Sequence, residues 1–117
     1  MISFPTSVRV VIAMRPVDFR RGGESLAALA REVLNEDPYK GVIVIFRSRR
    51  ADRIKIVTWD QTGLVMLWKA LDGAKFQWPP VVDGCMQLSA SQAAALLEGL
   101  EWRRIYPREV RAPTASR

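Results

Sequence analysis

An uninterrupted apolar run, Val42-Ile-Val-Ile-Phe46, leads into Arg47-Ser-Arg-Arg-Ala-Asp52 and then into an alternating segment, Arg53-Ile-Lys-Ile-Val-Thr-Trp59. The first run has no polar face, as expected of a central strand covered on both sides. The last puts Ile54, Ile56 and Thr58 on one face and Arg53, Lys55, Val57 and Trp59 on the other. The segment between is short and polar, so the chain must turn back on itself. That commits the middle of the protein to an antiparallel sheet and places Arg47, Arg49, Arg50, Arg53 and Lys55 on and beside one turn, against the single acid Asp52.

The flanking sequence extends the pattern. Val8 to Ala13 reads as a first strand, with Val8, Val10 and Ile12 on one face. Leu26, Leu29, Ala30, Val33 and Leu34 fall in one helical stripe. That helix begins between Asp18, a good N-cap, and Glu24, and Asn35 with Asp37-Pro38 ends it. Asp60 to Gly63 is a second turn, Leu64 to Leu71 a strand, Asp72-Gly-Ala74 a third turn and Lys75 to Trp78 a short last strand before Pro79-Pro80. Ser89-Ala-Ser-Gln92 fits a capping box that opens a helix through Leu97, with Gly99 at its C′ position. The expected fold class is α+β: a mostly antiparallel meander of about four strands plus an N-terminal strand, a helix packed on one face and a short C-terminal helix. Residues 1–106 read as a single domain and 107–117 as a disordered Arg/Pro/Ala tail.

Charge narrows the function. The 117 residues carry a net charge of +6, and 14 of the 18 cations are Arg, whose planar fork of donors suits phosphate. A turn bearing Arg-x-Arg-Arg points to a polyphosphate partner, and a β-ribbon is narrow enough for a DNA groove. Arg20-Arg-Gly-Gly23 ahead of the first helix forms a second basic patch, which Arg103 and Arg104 extend. Acidic protein contact and plain solvation of the turn stand beside the nucleic-acid reading. Among the four tryptophans, Trp68 and Trp78 are expected in the core, whereas Trp59 and Trp102, each near cations, are candidates for exposed stacking.

Catalysis finds little support. The chain has no His and one Cys, Cys85, which removes the usual general base and any thiol–imidazole pair. Asp18, Asp52, Asp60 and Asp83 fall at turns or caps, where Asp serves the backbone. A Mg²⁺-dependent nuclease built on Asp52 or Asp60 is a third reading, but the spacing selects no metal set. The expectation is therefore no enzyme, no cofactor and no metal. A lone Cys, no signal-peptide pattern and no apolar run of the roughly 18 residues needed to cross a bilayer point to a cytoplasmic protein without membrane contact.

Taken in order, the segments resemble a family. Asp18-Phe-Arg-Arg-Gly22 with Ser25-Leu-Ala27, Phe46 to Lys55, Trp59-Asp60 with Gly63, Lys69-Ala-Leu71, Gly73, Phe76-Gln-Trp-Pro79 and Leu96 to Arg104 are similar to the TnpB accessory proteins of the insertion-sequence-sixty-six bacterial transposons. The likeness runs from about Val8 to Arg104. The chain departs from it at Ala70, where the family usually has Arg, and at Gly23, where a bulky residue is common. The resemblance implies a protein encoded beside a DDE-type transposase and needed for efficient transposition. Its implied partners are the transposase and other element-encoded proteins, and it implies no established activity of the protein's own. Contact with transposon-end DNA is instead a hypothesis resting on the charge and spacing of the basic hairpin. The leading alternative to DNA binding is a module that docks on the transposase without touching DNA, and an exposed strand edge offers a route to a homo-oligomer.

Overall fold

The computed structural model describes Phe4, residues 7–80 and residues 83–105. The described residues form one five-stranded sheet with helices on both faces. Its strands are β1 (Val10–Ala13), β2 (Ile43–Arg47), β3 (Arg53–Trp59), β4 (Leu64–Ala70) and β5 (Cys85–Leu88), in the spatial order β4-β3-β2-β1-β5. β1 and β2 are parallel, and every other pairing is antiparallel. The parallel pair arises because the chain crosses between them through helix α1 (Gly23–Leu29), the usual way of joining parallel neighbours.

Alternation along the buried strands divides the core into two layers. Val11, Ala13, Val44, Phe46 and Val57 face α1, where they meet Leu26, Ala27 and Ala30. Val10, Ile12, Ile43, Ile45, Ile54 and Ile56 face the other way, onto Phe76, Trp102 and helix α2 (Ala90–Leu97). All five residues of β2 are buried: Ile43 to Phe46, in keeping with their apolar sequence, and Arg47 beside them. The capping box is formed: the Ser89 hydroxyl accepts from the Gln92 N–H, and the Gln92 carboxamide accepts from the Ser89 N–H. Gly99 takes the left-handed conformation at φ +76° that ends α2.

Four details differ from the sequence reading. β1 begins at Val10. Asp18 does not cap α1, because its carboxylate accepts the Arg20 N–H in a local turn, and Gly22 stands at the N-cap with no side-chain bond. α1 widens into a π-helical turn over Ala30–Leu34; the extra residue rotates Leu34 inward and leaves Val33 66% exposed. Finally, Lys75 to Trp78 is not a strand. From Leu71 to Pro80 the chain crosses the α2 face of the sheet without strand pairing, seating Phe76 in the core and bonding the Trp78 indole N–H to the Ala13 carbonyl at 3.0 Å. It then supplies β5, which the sequence reading passed over, beside β1. Among the described residues no helix is long and apolar enough to cross a membrane, and the tail expected from Pro107 lies outside them.

Replacing Ser89 by Ala removes the side-chain acceptor at the start of α2. Urea unfolding should show a loss of about 1 kcal/mol with an unchanged m-value.

Candidate nucleic-acid interface

The basic turn is a tight hairpin loop between β2 and β3. The Ala51 N–H donates to the Ser48 carbonyl at 3.0 Å, and the Ser48 N–H to the Arg53 carbonyl at 2.9 Å. Ala51 sits at φ +58°, so the loop closes through a left-handed residue that is not glycine. Its far side is held by the crossing segment, as the Leu71 N–H donates to the Asp52 carbonyl and the Phe76 N–H to the Ala51 carbonyl at 2.7 Å. Ser48 adds a bond from its hydroxyl to the Asp52 carboxylate at 3.1 Å.

Two of the five expected phosphate-binding cations are inside this frame rather than on it. Lys55 is buried between the sheet and Phe19; its ammonium donates to the Phe19 carbonyl at 2.7 Å and the Arg21 carbonyl at 2.9 Å and lies 4.7 Å from the Phe19 ring centre. Arg47 is buried on the opposite face. One terminal nitrogen donates to the carbonyls of Ser48 and Arg49, its guanidinium lies 6.0 Å from the Trp78 ring centre, and its Nε has no partner among the described residues. Burial lowers the Arg47 pKa from the ordinary guanidinium value, yet Arg remains charged at any physiological pH. The sequence reading placed both groups toward solvent. Apolar neighbours and nearby backbone acceptors instead turn them inward.

Arg49, Arg50 and Arg53 are exposed, and among the described residues their guanidinium groups form no ion pair or hydrogen bond. Lys55 brings the second basic patch to them by tying down the Phe19–Arg21 turn, and the Val17 N–H adds a 3.0 Å bond to the Arg47 carbonyl. An open groove of about 450 Å³ results, lined by Pro16, Val17, Asp18, Phe19, Arg20, Ser48 and Arg49. A second, of about 280 Å³, continues past Arg50 to Arg53. Two motifs more than twenty-five positions apart thus share one surface.

Arg20, Arg21 and Arg103 are less available. Arg20 is clamped by Asp18, with Nη2 to Oδ2 at 2.7 Å and Nε to Oδ1 at 3.0 Å. The Arg20 guanidinium and N–H hold the Asp18 carboxyl well below the usual carboxylate range. Arg21 donates to the Ser25 hydroxyl at 2.9 Å and lines a neighbouring apolar pocket with Val33 and Leu34. Arg103 pairs with Glu101 at 2.8 Å and lines neither groove. Arg104 belongs to a short 3-10 turn, Trp102–Arg104.

The model describing the IS66 Orf2-like proteins matches residues 8–107. The chain belongs to that family. It is 40% identical to the uncharacterized protein y4jC of Sinorhizobium fredii (strain NBRC 101917 / NGR234), over 97% of each chain. A second protein of that strain, the uncharacterized y4hO, is 36% identical over the same shares. No solved structure matches the chain. In this IS66 Orf2-like protein two of the tryptophans reverse the sequence expectation, while Trp78 packs against the core as expected. Trp68 is 63% exposed on β4, whereas Trp102 is buried with its indole N–H on the Gln77 carbonyl at 2.6 Å. Trp59 is half-buried against Tyr39. Trp68 lies opposite Lys55 in the β3–β4 register and so shares a face with Arg53. A strand of alternating residues would have revealed this, but Leu64 to Ala70 is apolar except for Lys69, which lies on the opposite face from Trp68. Asp60 accepts from the Thr62 hydroxyl and the N–H groups of Thr62 and Gly63, and among the described residues no three His, Cys, Asp or Glu cluster as metal ligands.

Lys55→Met removes both bonds to the Phe19–Arg21 turn and should lower stability by about 1–3 kcal/mol in urea unfolding. Arg49→Ala and Arg50→Ala should each stay within about 0.5 kcal/mol of the parent. Because the folded Asp18 pKa is depressed, its contribution to stability is present above the unfolded carboxylate value and is lost as pH falls toward the folded one. A carboxyl-detected NMR titration should find Asp18 still ionised at about pH 3, where an ordinary Asp is largely protonated. Arg20→Gln removes the guanidinium but keeps the backbone N–H, so it should move the Asp18 titration upward, part of the way to that of an ordinary Asp.

Proposed function

We propose that this protein is a non-catalytic accessory factor for DNA transposition by IS66-type elements, working in the cytoplasm with the element's DDE-type transposase. On this reading it contacts DNA, transposon ends above all, through the β2–β3 turn. The observation that carries the reading is the pairing state of the cations. Arg49, Arg50 and Arg53 project from a braced turn without internal partners among the described residues, while Arg47 and Lys55 hold that turn from its two faces. Free guanidinium groups on a pre-organised protrusion can accept phosphates without first breaking ion pairs or ordering a loop. Arg20 and Arg21 add contacts from the neighbouring turn, and Arg20 does so after exchanging Asp18 for phosphate.

Membership of the IS66 Orf2-like family supports the transposition setting. The alternative, a module that docks on the transposase without touching DNA, draws on the exposed Met66, Leu67 and Trp68 of β4. Fluorescence anisotropy with labelled transposon-end and scrambled duplexes, across a salt series, separates the two. Direct binding predicts an affinity that falls steeply with salt, since each neutralised phosphate releases counterions. The double variant Arg49→Glu, Arg50→Glu should weaken it by at least about tenfold and flatten the salt slope by about two phosphate contacts. Binding that is absent in the parent, or unchanged in the double variant, would overturn the proposal in favour of transposase docking.

A further inference from the structure

β4 is an edge of the sheet among the described residues, and it is an unguarded one. Edge strands are normally blunted by charge, proline or a bulge, because their outward N–H and C=O groups pair readily with another strand. β4 pairs with β3 over its full seven residues and contains neither proline nor acid. Its one cation is diverted, since Lys69 donates to the Leu97 carbonyl at the end of α2. Three of its residues in sequence are large, apolar and exposed: Met66 at 36%, Leu67 at 47% and Trp68 at 63%.

The hydrogen-bond alternation fixes which groups face outward. The Leu71 N–H bonds to the Asp52 carbonyl and the Asp60 N–H to the Gly63 carbonyl. In the observed register, residues 65, 67 and 69 therefore exchange bonds with β3, leaving the backbone of Leu64, Met66, Trp68 and Ala70 directed away from the sheet.

We infer that β4 pairs antiparallel with β4 of a second copy of this chain, on a two-fold axis at Leu67, to give a continuous ten-stranded sheet. Centring on Leu67 is the register that uses the whole strand. Leu64 then lies opposite the partner's Ala70, and Met66 opposite the partner's Trp68. Each of these is a pair in which both residues have outward N–H and C=O groups. Leu67 meets its counterpart in a close, non-hydrogen-bonded pair on the α2 face. On the α1 face, two Met–Trp pairs form the cross-strand sulfur–aromatic contact. The patch is self-complementary in charge as well, because with Lys69 turned to α2 no like charges meet across the axis. Such a joint buries on the order of 1,000 Å² in total, the lower bound for a specific interface and the size of a weak, reversible contact, so dissociation is sought in the micromolar range.

The axis runs perpendicular to the sheet, so both copies present Arg53 on one face. With Arg53 opposite Ala70 in each copy, the two Arg53 positions stand about 20 Å apart along the strands and about 14 Å across them, hence about 25 Å in all. The two basic turns extend beyond these points in opposite directions. Their separation is of the order of one helical turn of DNA, about 34 Å. The pairing itself does not depend on DNA binding.

Sedimentation equilibrium of the full chain from about 1 to about 200 µM brackets the expected dissociation constant. The mass should rise from 13.2 kDa toward twice that value. Met66→Pro removes an outward N–H that β3 does not use and should fold while losing self-association. Leu67→Lys sets two ammonium groups across the axis and should weaken dimerisation by at least tenfold. Far-UV circular dichroism checks both folds. If Met66→Pro does not fold, Leu67→Lys decides the matter, because that side chain is already half exposed. A parent that stays monomeric throughout, including one whose Trp68 emission responds only to added single-stranded oligonucleotide, would overturn the inference. So would a dimer that either folded variant leaves intact.

Discussion

The Lys55 ammonium, enclosed between the sheet and Phe19 and bonded to two backbone carbonyls, joins the two basic segments of this structure. A buried cation is tolerated only where acceptors and a favourable π face replace its water, and the Phe19–Arg21 turn supplies both. That turn is therefore held over β3, and with it Arg20 and Arg21 are held beside the β2–β3 loop. Arg47 performs the matching task on the opposite face by filling the carbonyls of Ser48 and Arg49 beneath Trp78. The basic turn is braced by two of its own cations, which lie inside the structure.

This division of labour explains how a strongly basic segment coexists with a well-ordered sheet. Five solvated cations within nine residues would repel one another and splay the loop. Neutral acceptors take two of them, the Asp18 carboxylate offsets Arg20 close by, and only Arg49, Arg50 and Arg53 remain open to an external anion. The bracing is shared with the crossing segment, whose Leu71 and Phe76 N–H groups hold the loop from behind. The residues that position the loop are thus separable by substitution from those proposed to meet DNA.

Much of the architecture was legible in the sequence because local signals and burial agreed. The apolar run expected from Val42 to Phe46 became the central buried strand Ile43–Arg47, Arg53 to Trp59 kept its two-faced register, and the Ser89–Gln92 capping box formed as spelled. The misses arose where tertiary contacts decide. Lys75 to Trp78 has strand-like composition, but its aromatics are drawn under the sheet and indole N–H groups bond across the segment, so it crosses instead of pairing. Val33 was lost to a π-helical turn that no composition announces. In the candidate site, the positions of the cations were readable but their directions were not. Nothing in Arg47 or Lys55 taken alone reveals the carbonyls waiting nearby. Trp68 was expected in the core because its face of β4, Leu64, Met66, Trp68 and Ala70, has no polar residue by which to tell inside from outside.

NMR of the side chains separates the cations proposed to bind DNA from those that brace the turn. Arginine Nε–H and lysine Nζ resonances would be followed while transposon-end duplex is added to the isotope-labelled protein. The account predicts progressive shifts at Arg49, Arg50 and Arg53, with Arg20 responding as its pairing with Asp18 is exchanged, while Lys55 and Arg47 stay in place. Shifts confined to other arginines, no shift at all, or a Lys55 signal that moves to an exposed, DNA-bound position would contradict it.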